Sequence, residues 1–151
     1  MKLSSKSTYG LRALLNIAVN GDEEATSIFD IAQKEGISKT YLEQLLNRLR
    51  RHGLVKSVRG PKGGYTLSRK ASDITVADIV SVLEGGIWPV HCVSKNNSPG
   101  GLCKRSGSCV PKLVWKKLAD AIKDCLESIT LEDLCSRSRK INGLSSRRRS
   151  S

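Results

Sequence analysis

The chain has 151 residues, 38% of them apolar and only six aromatic, with 26 basic and 14 acidic side chains and a formal charge of +12. That length suits one domain with an appendage, packed mostly by Leu, Ile, Val and Ala. No apolar run approaches the ~20 residues of a membrane helix. The opening Met1-Lys2-Leu3-Ser4-Ser5-Lys6 has no apolar stretch of the kind an export signal carries, so a cytoplasmic location with no membrane partner is expected.

Taken in chain order, Leu11, Leu14, Leu15, Ala18 and Val19 mark an amphipathic helix over Thr8–Val19 that stops at Asn20-Gly21. Ser27 and Asp30 form a capping-box pair that opens a short second helix ending at Gly36. Ser38 caps a third, with Leu42, Leu45, Leu46 and Leu49 inward and Gly53 just past its end. Two helices joined by a turn at Gly36, the second polar on its outer face, are laid out as a helix-turn-helix. Leu54–Val58 and Tyr65–Ser68 alternate like strands around Arg59-Gly60-Pro61-Lys62-Gly63-Gly64, which reads as a β-hairpin wing.

Thr75 caps a fourth helix, with Val76, Ile79, Val80 and Leu83 inward and Gly85-Gly86 as its stop. Residues 87–111 lack periodicity. A long helix over Lys112–Ile129 carries Trp115, Leu118, Ile122, Cys125, Leu126 and Ile129 at three- and four-residue steps, a coiled-coil-like seam. Thr130 and Asp133 form a further capping box, opening a last short helix. The Ser/Arg-rich remainder holds only Ile141 and Leu144 as apolar anchors, so a disordered basic tail is expected. The fold class is therefore mostly α with a small β-hairpin wing. A winged helix-turn-helix over 1–84 leads to a cysteine-containing sensor loop over 85–111, a dimerisation helix region over 112–135 and the basic tail over 136–151.

Charge locates the chemistry. Residues 37–70 sum to +8 and residues 137–151 to +6, leaving −2 elsewhere, which suggests a polyanion partner, nucleic acid before membrane. A helix fits the DNA major groove, where base edges are distinguishable. Ser38, Lys39, Thr40, Tyr41, Glu43 and Gln44, with Asn47, cluster on the N-terminal half of the third helix, the part that usually meets bases. Gln44 suits adenine and Glu43 a cytosine amino group. Arg48, Arg51, Lys56 and Lys62 are expected to hold phosphates. Arg59, beside Gly60 at the wing, is the candidate for a narrow minor groove. A solvated helix face is the bland alternative for the third helix, and a simple tight turn for Gly60–Gly64. The segment's uniform sign favours DNA.

Five cysteines, an odd number, with no export signal argue against a disulfide framework. Cys92, Cys103 and Cys109, separated by ten and five residues, suit an iron–sulfur cluster better than zinc, whose ligands usually come in closer pairs. Three free thiols are the alternative. Cys125 and Cys135 lie at helical positions and read as packed core thiols. No Ser/His/Asp or Cys/His arrangement and no paired carboxylates are evident, so no enzyme is expected. A basic RNA-binding protein gripping through Arg147, Arg148 and Arg149 is the reading of another class that charge alone leaves open.

Met1-Lys-Leu-Ser-Ser-Lys6 with Tyr9, Ile37-Ser-Lys-Thr-Tyr-Leu-Glu-Gln-Leu-Leu46 and Val58-Arg-Gly-Pro-Lys-Gly-Gly-Tyr65 resemble the Rrf-two family of IscR-, NsrR- and CymR-like regulators over roughly residues 1–135. The resemblance implies a homodimeric winged-helix repressor or activator whose long C-terminal helices cross. It implies an operator of two half-sites about one helical turn apart, ~34–36 Å. It also implies an iron–sulfur cluster on Cys92, Cys103 and Cys109, 2Fe–2S ahead of 4Fe–4S. The coupling expected here is that a bound cluster orders the loop beside the recognition helix, with Glu43 enforcing discrimination between operators. Two departures stand out. The gap between the first two cysteines is wide for the family, and Lys112 stands where IscR-like members carry a histidine ligand, so the fourth ligand is open. CymR-like members imply the alternative: a cluster-free regulator of cysteine metabolism controlled by a protein partner.

Overall fold

A computed structural model of the chain describes residues 3–21, 24–94, 103, 105 and 107–149, with the side chains of 144–149 left out. The expectations for Met1, Lys2, the middle of the 85–111 loop and Ser150–Ser151 lie outside the described residues. Six helices and one two-stranded sheet follow in order: α1 (Ser5–Asn20), α2 (Ile28–Glu35), α3 (Lys39–Arg51), β1 (Val55–Val58), β2 (Gly64–Leu67), α4 (Val76–Glu84), α5 (Lys112–Glu127) and α6 (Leu131–Arg149). Short 3₁₀ turns sit at Ala71–Asp73 and His91–Val93.

The helix starts follow side-chain capping. Ser4, Ser27 and Ser38 accept from the amides of Lys6, Phe29 and Tyr41, which satisfies first-turn N–H groups that have no helical partner. Thr75 and Asp78 close a reciprocal capping box, and so do Thr130 and Asp133. At α2 Ser27 Oγ accepts from the Phe29 amide and not from that of Asp30, so the cap is present but the expected box is not.

Helix α1 begins earlier than its apolar pattern indicates, because Ser4 supplies the cap. Its buried stripe also includes Ser7 and Gly10. At Gly10 the backbone of α1 lies directly on the Leu83 side chain, so a Cβ there would overlap it. Close packing of α1 on α4 therefore requires glycine, a demand that hydrophobic periodicity does not register.

Leu42, Leu45, Leu46 and Leu49 of α3 pack with Ala13, Leu14 and Ile17 of α1, Ile79 and Leu83 of α4, and Leu131 and Cys135 of α6. Each of the buried leucines and isoleucines contributes ~1.5–3 kcal/mol. The wing pairs antiparallel, Val55 with Leu67 through Val58 with Gly64. Strand β2 is tied near the turn to the α1–α2 connection by reciprocal Thr26–Tyr65 backbone bonds of 2.9 Å. Gly64 lies so close to the Thr26 backbone that a side chain would collide with it.

A second apolar cluster joins Val76, Ala77, Val80 and Ile87 to Ile122, Leu126 and Ile129, setting α5 on α4. The first half of α5 and the residues leading into it are uncovered. Val110, Leu113, Val114, Trp115 and Leu118 are 38–75% exposed. Cys125 is exposed too, not packed as its helical position suggested, because it lies off the face that α5 presents to α4. The expected disordered tail from residue 136 is also corrected, since α6 continues to Arg149. Leu131 and Cys135 anchor its first turns in the core, Arg139 pairs with Glu132 at 3.3 Å, and extending an anchored helix is far cheaper than starting one.

Candidate nucleic-acid interface

Helix α3 presents Lys39, Thr40, Gln44, Asn47, Arg48, Arg50 and Arg51 as exposed side chains, with Tyr41 and Glu43 half-buried, and Ser38 is exposed at its cap. These are the residues singled out from sequence for base and phosphate contact, with Arg50 added. Lys39 and Glu43 form an i,i+4 pair at 3.9 Å, both about half exposed. Such a pair is worth little, so the Glu43 carboxylate is available to another partner.

Tyr41 is fixed from behind. Its hydroxyl lies 3.2 Å from Ser5 Oγ of α1, and its ring stands edge-on to Tyr9 at 6.2 Å. Arg12 caps that pair with its guanidinium 5.7 Å from the Tyr9 ring centre. Arg12 also faces Glu35 of α2 at 3.6 Å, and Asn16 Nδ2 donates to the same carboxylate at 2.8 Å. The two helices of the helix-turn-helix are thus braced against α1. In the second half of α3, Arg48 Nη1 donates to the Leu83 carbonyl at 2.8 Å.

Strand β1 leaves directly from the last turn of α3, where the Leu54 amide donates to the Leu49 carbonyl. Lys56 is exposed on that strand, and Arg59, Gly60 and Lys62 are exposed on the turn beyond it. The turn is closed by a 2.9 Å bond from Gly63 N–H to the Gly60 carbonyl. A rigid turn with two cations on it can be offered to a groove with little loss of entropy.

The three candidate cluster ligands are placed differently. Cys92 is half-buried in the 3₁₀ turn after α4, Cys103 is exposed, and Cys109 is half-buried just before α5, where its carbonyl accepts from Lys112 N–H at 3.2 Å. All three are free thiols. Their chemistry fits a cluster, and Cys109 lies just before the first turn of α5. Their geometry does not close one: among the described residues, no three His, Cys, Asp or Glu side chains converge on a metal-sized site. Cys135 by contrast is buried, and that burial, with Glu132 nearby, pushes its thiol above the usual range.

Sequence reasoning missed the structural roles of Ser5, Tyr9 and Arg12, which brace Tyr41 and α2 against α1, and of Ser4, Ser7 and Glu84, which tie α1 to α4. Apart from the capping serine, none carries a local signal.

With the geometry in hand, likeness to known proteins is decisive for the family. The Rrf2 family model, described as an iron-dependent transcriptional regulator, matches residues 3–137. This chain belongs to the Rrf2 family. It is 37% identical over 142 residues to the HTH-type transcriptional regulator IscR of Pectobacterium atrosepticum, covering 94% of this chain and 84% of that one. Among solved structures it is similar to CymR, the global cysteine regulator of B. subtilis, with 43% identity, TM-score 0.72, and 91% and 98% of the two chains covered. It is also similar to IscR of T. potens, with 38% identity, TM-score 0.69, and 91% and 88% covered. The winged-helix reading and the family resemblance are borne out. The chain is a DNA-binding transcriptional regulator, and its relatives are regulators, not enzymes. No helix among the described residues is long and apolar enough to cross a membrane.

Proposed function

We propose that this Rrf2-family regulator is a homodimer that binds a two-half-site operator, and that its grip on DNA is set by an iron–sulfur cluster on Cys92, Cys103 and Cys109. One observation carries the reading. Three uncrosslinked thiols occupy the connection between α4, which packs on α3, and α5, whose open apolar face suits a second copy. When bound, a cluster supplies iron–thiolate bonds that draw the three cysteines to one centre. The chain does the rest. Cys92 follows the last turn of α4 and Cys109 precedes the first turn of α5, so gathering these thiols draws on both helices.

In that reading, Ser38, Lys39, Thr40, Tyr41, Glu43 and Gln44 face base edges, Arg51, Lys56 and Lys62 hold phosphates, and Arg59 with Gly60 enters the minor groove. Glu43 rejects operators that leave its carboxylate without a donor, since a charge buried unpaired is costly.

The test is anaerobic purification. Brown protein containing iron and inorganic sulfide is expected, with both lost in Cys92→Ala, Cys103→Ala and Cys109→Ala, together with a changed operator preference. Colourless protein whose three variants bind DNA like the wild type would remove the sensing claim. A second reading has its own support: the likeness to CymR, and the spread of the three thiols, fit a cluster-free regulator controlled by a protein partner. That reading predicts no visible absorbance and variants of unchanged DNA binding.

A further inference from the structure

The last turn of α4 reaches two other helices. The Leu83 carbonyl is one of the four at a helix C-terminus that lack a partner within the helix, and Arg48 Nη1 of α3 donates to it at 2.8 Å. A cation there also suits the negative end of the helix dipole. One residue on, Glu84 Oε1 accepts from Ser4 N–H at 3.0 Å, from Ser4 Oγ at 2.7 Å, and from Ser7 Oγ. Ser4 is the cap of α1, so this carboxylate sits at the positive end of that helix. Burial alone would push the Glu84 carboxyl up, but the hydrogen bonds from Ser7 and Ser4 and the Lys6 ammonium outweigh it and hold the group below its usual value.

These contacts close a triangle. Glu84, with the Leu83 side chain seated on Gly10, fastens α4 to α1. Ser5 and Tyr41 fasten α1 to the first half of α3. Arg48 fastens the second half of α3 to α4. The recognition helix is thus held by polar contacts at both ends, and both trace to one helical turn. That turn is followed by Gly85-Gly86 and then by the segment leading to Cys92.

We propose that Arg48 is a positioning residue and not a phosphate contact: with Glu84 it suspends the recognition helix from the last turn of α4 and sets the angle at which Ser38–Gln44 meet the bases. This rests on the reading of α3 given above and adds what fixes its angle. It also shows how a pull on the Cys92 segment reaches α3. The guanidinium is exposed enough to serve a phosphate, but its Nη1 donor is already committed to a backbone carbonyl.

Salt dependence separates the two roles, because each phosphate contact released lowers the slope of log affinity against log salt by ~0.9. The full-length protein is titrated, across a range of NaCl concentrations, onto two fluorescent duplexes. One is selected from a random library by the wild type and the other is a shuffled sequence of equal composition. Arg51→Ala is the phosphate comparator, expected to lower the slope on both duplexes. Arg48→Ala is expected to leave both slopes unchanged and to weaken the selected duplex about tenfold, with little effect on the shuffled one. Glu84→Ala deletes a negative charge, which by field alone would tighten binding to any DNA. Loss of discrimination like that of Arg48→Ala is expected instead.

Arg48→Met guards against a variant that fails to fold. It keeps the aliphatic stem while losing the donor and the charge, so the same loss of discrimination with unchanged slopes is expected. A slope reduced by ~0.9 per phosphate in Arg48→Ala and Arg48→Met, with discrimination intact, overturns the proposal. A wild type that selects no sequence sinks the operator reading instead, and the slopes on the shuffled duplex still decide whether Arg48 holds a phosphate.

Discussion

The winged head and the region beyond α4 are built on different terms. In the head, residues 4–84, every α-helix start is capped by a side chain, one core collects the leucines of α3 with residues of α1, α4 and the start of α6, and the wing is tied near its turn to the α1–α2 connection. Beyond it, α5 starts after Pro111 with no side-chain cap, buries only Ala119 fully, and leaves an apolar face open. The three candidate ligands lie apart. A part that closes within one chain sets the shape offered to DNA. A part left open is where a second copy or a ligand can act on that shape without unfolding it.

The largest effect that can sharpen this contrast is in the head. Leu46 is fully buried, and Leu46→Ala is expected to cost ~2–5 kcal/mol, in the range of cavity-forming substitutions. A urea titration measures it. A cost well below 1 kcal/mol would mean that the head is looser than its packing indicates. On the open face, Leu118→Arg is expected to leave the head folded and prevent pairing of two copies. The wild-type melting temperature should rise with protein concentration, and the variant's should not. Its operator affinity should fall ~100-fold, the usual loss when linked half-sites are engaged singly. A wild type whose melting temperature ignores concentration would break the contrast.

Smaller effects separate the cysteines. Cys103 is exposed and Cys135 is fully buried. Cys103→Ala is therefore expected to shift stability by less than ~0.5 kcal/mol, and Cys135→Ala to cost ~1 kcal/mol or more. Iron retention should show the reverse order, lost in the first and kept in the second. Equal iron content in the two proteins would remove Cys103 from the ligand set.

What could be read in advance follows the same divide. The cap and leucine stripe of α3, the wing strands to within a residue or so, the Thr75 cap and the Thr130–Asp133 box are legible because each is local: a hydroxyl and an amide two or three residues apart, or a stripe on one helix. Gly10 and Gly64 matter through close approach to distant chain, and no periodicity marks them. Glu84 and Ser4 are joined across eighty positions, and Arg48 reads as a surface cation until the Leu83 carbonyl is placed beside it. The tail misleads for a related reason. Its composition cannot form a core, yet it is carried as helix by two buried residues upstream. Of the candidate site, the exposed cations and the free thiols are legible as residue types, but not how α3 is held.

The smallest expected effect tests that hold through protons. Glu84 has its carboxyl depressed in the folded chain, so its stabilising contribution is present above the unfolded carboxyl value, ~4.3, and is lost as pH falls through the lower folded value. Glu84→Gln keeps an oxygen that Ser4 and Ser7 can donate to, but it has no charge to lose. Wild type and variant are therefore expected to differ in urea midpoint at neutral pH and to converge as acidification passes below the folded value. Because the group is only partly buried, the neutral-pH difference should be small, and raised salt should shrink it further as the Lys6 attraction is screened. Convergence on acidification is the decisive feature: a gap that persists unchanged to low pH would mean that the charge contributes nothing and that the difference lies in how the neutral amide fits Ser4 and Ser7.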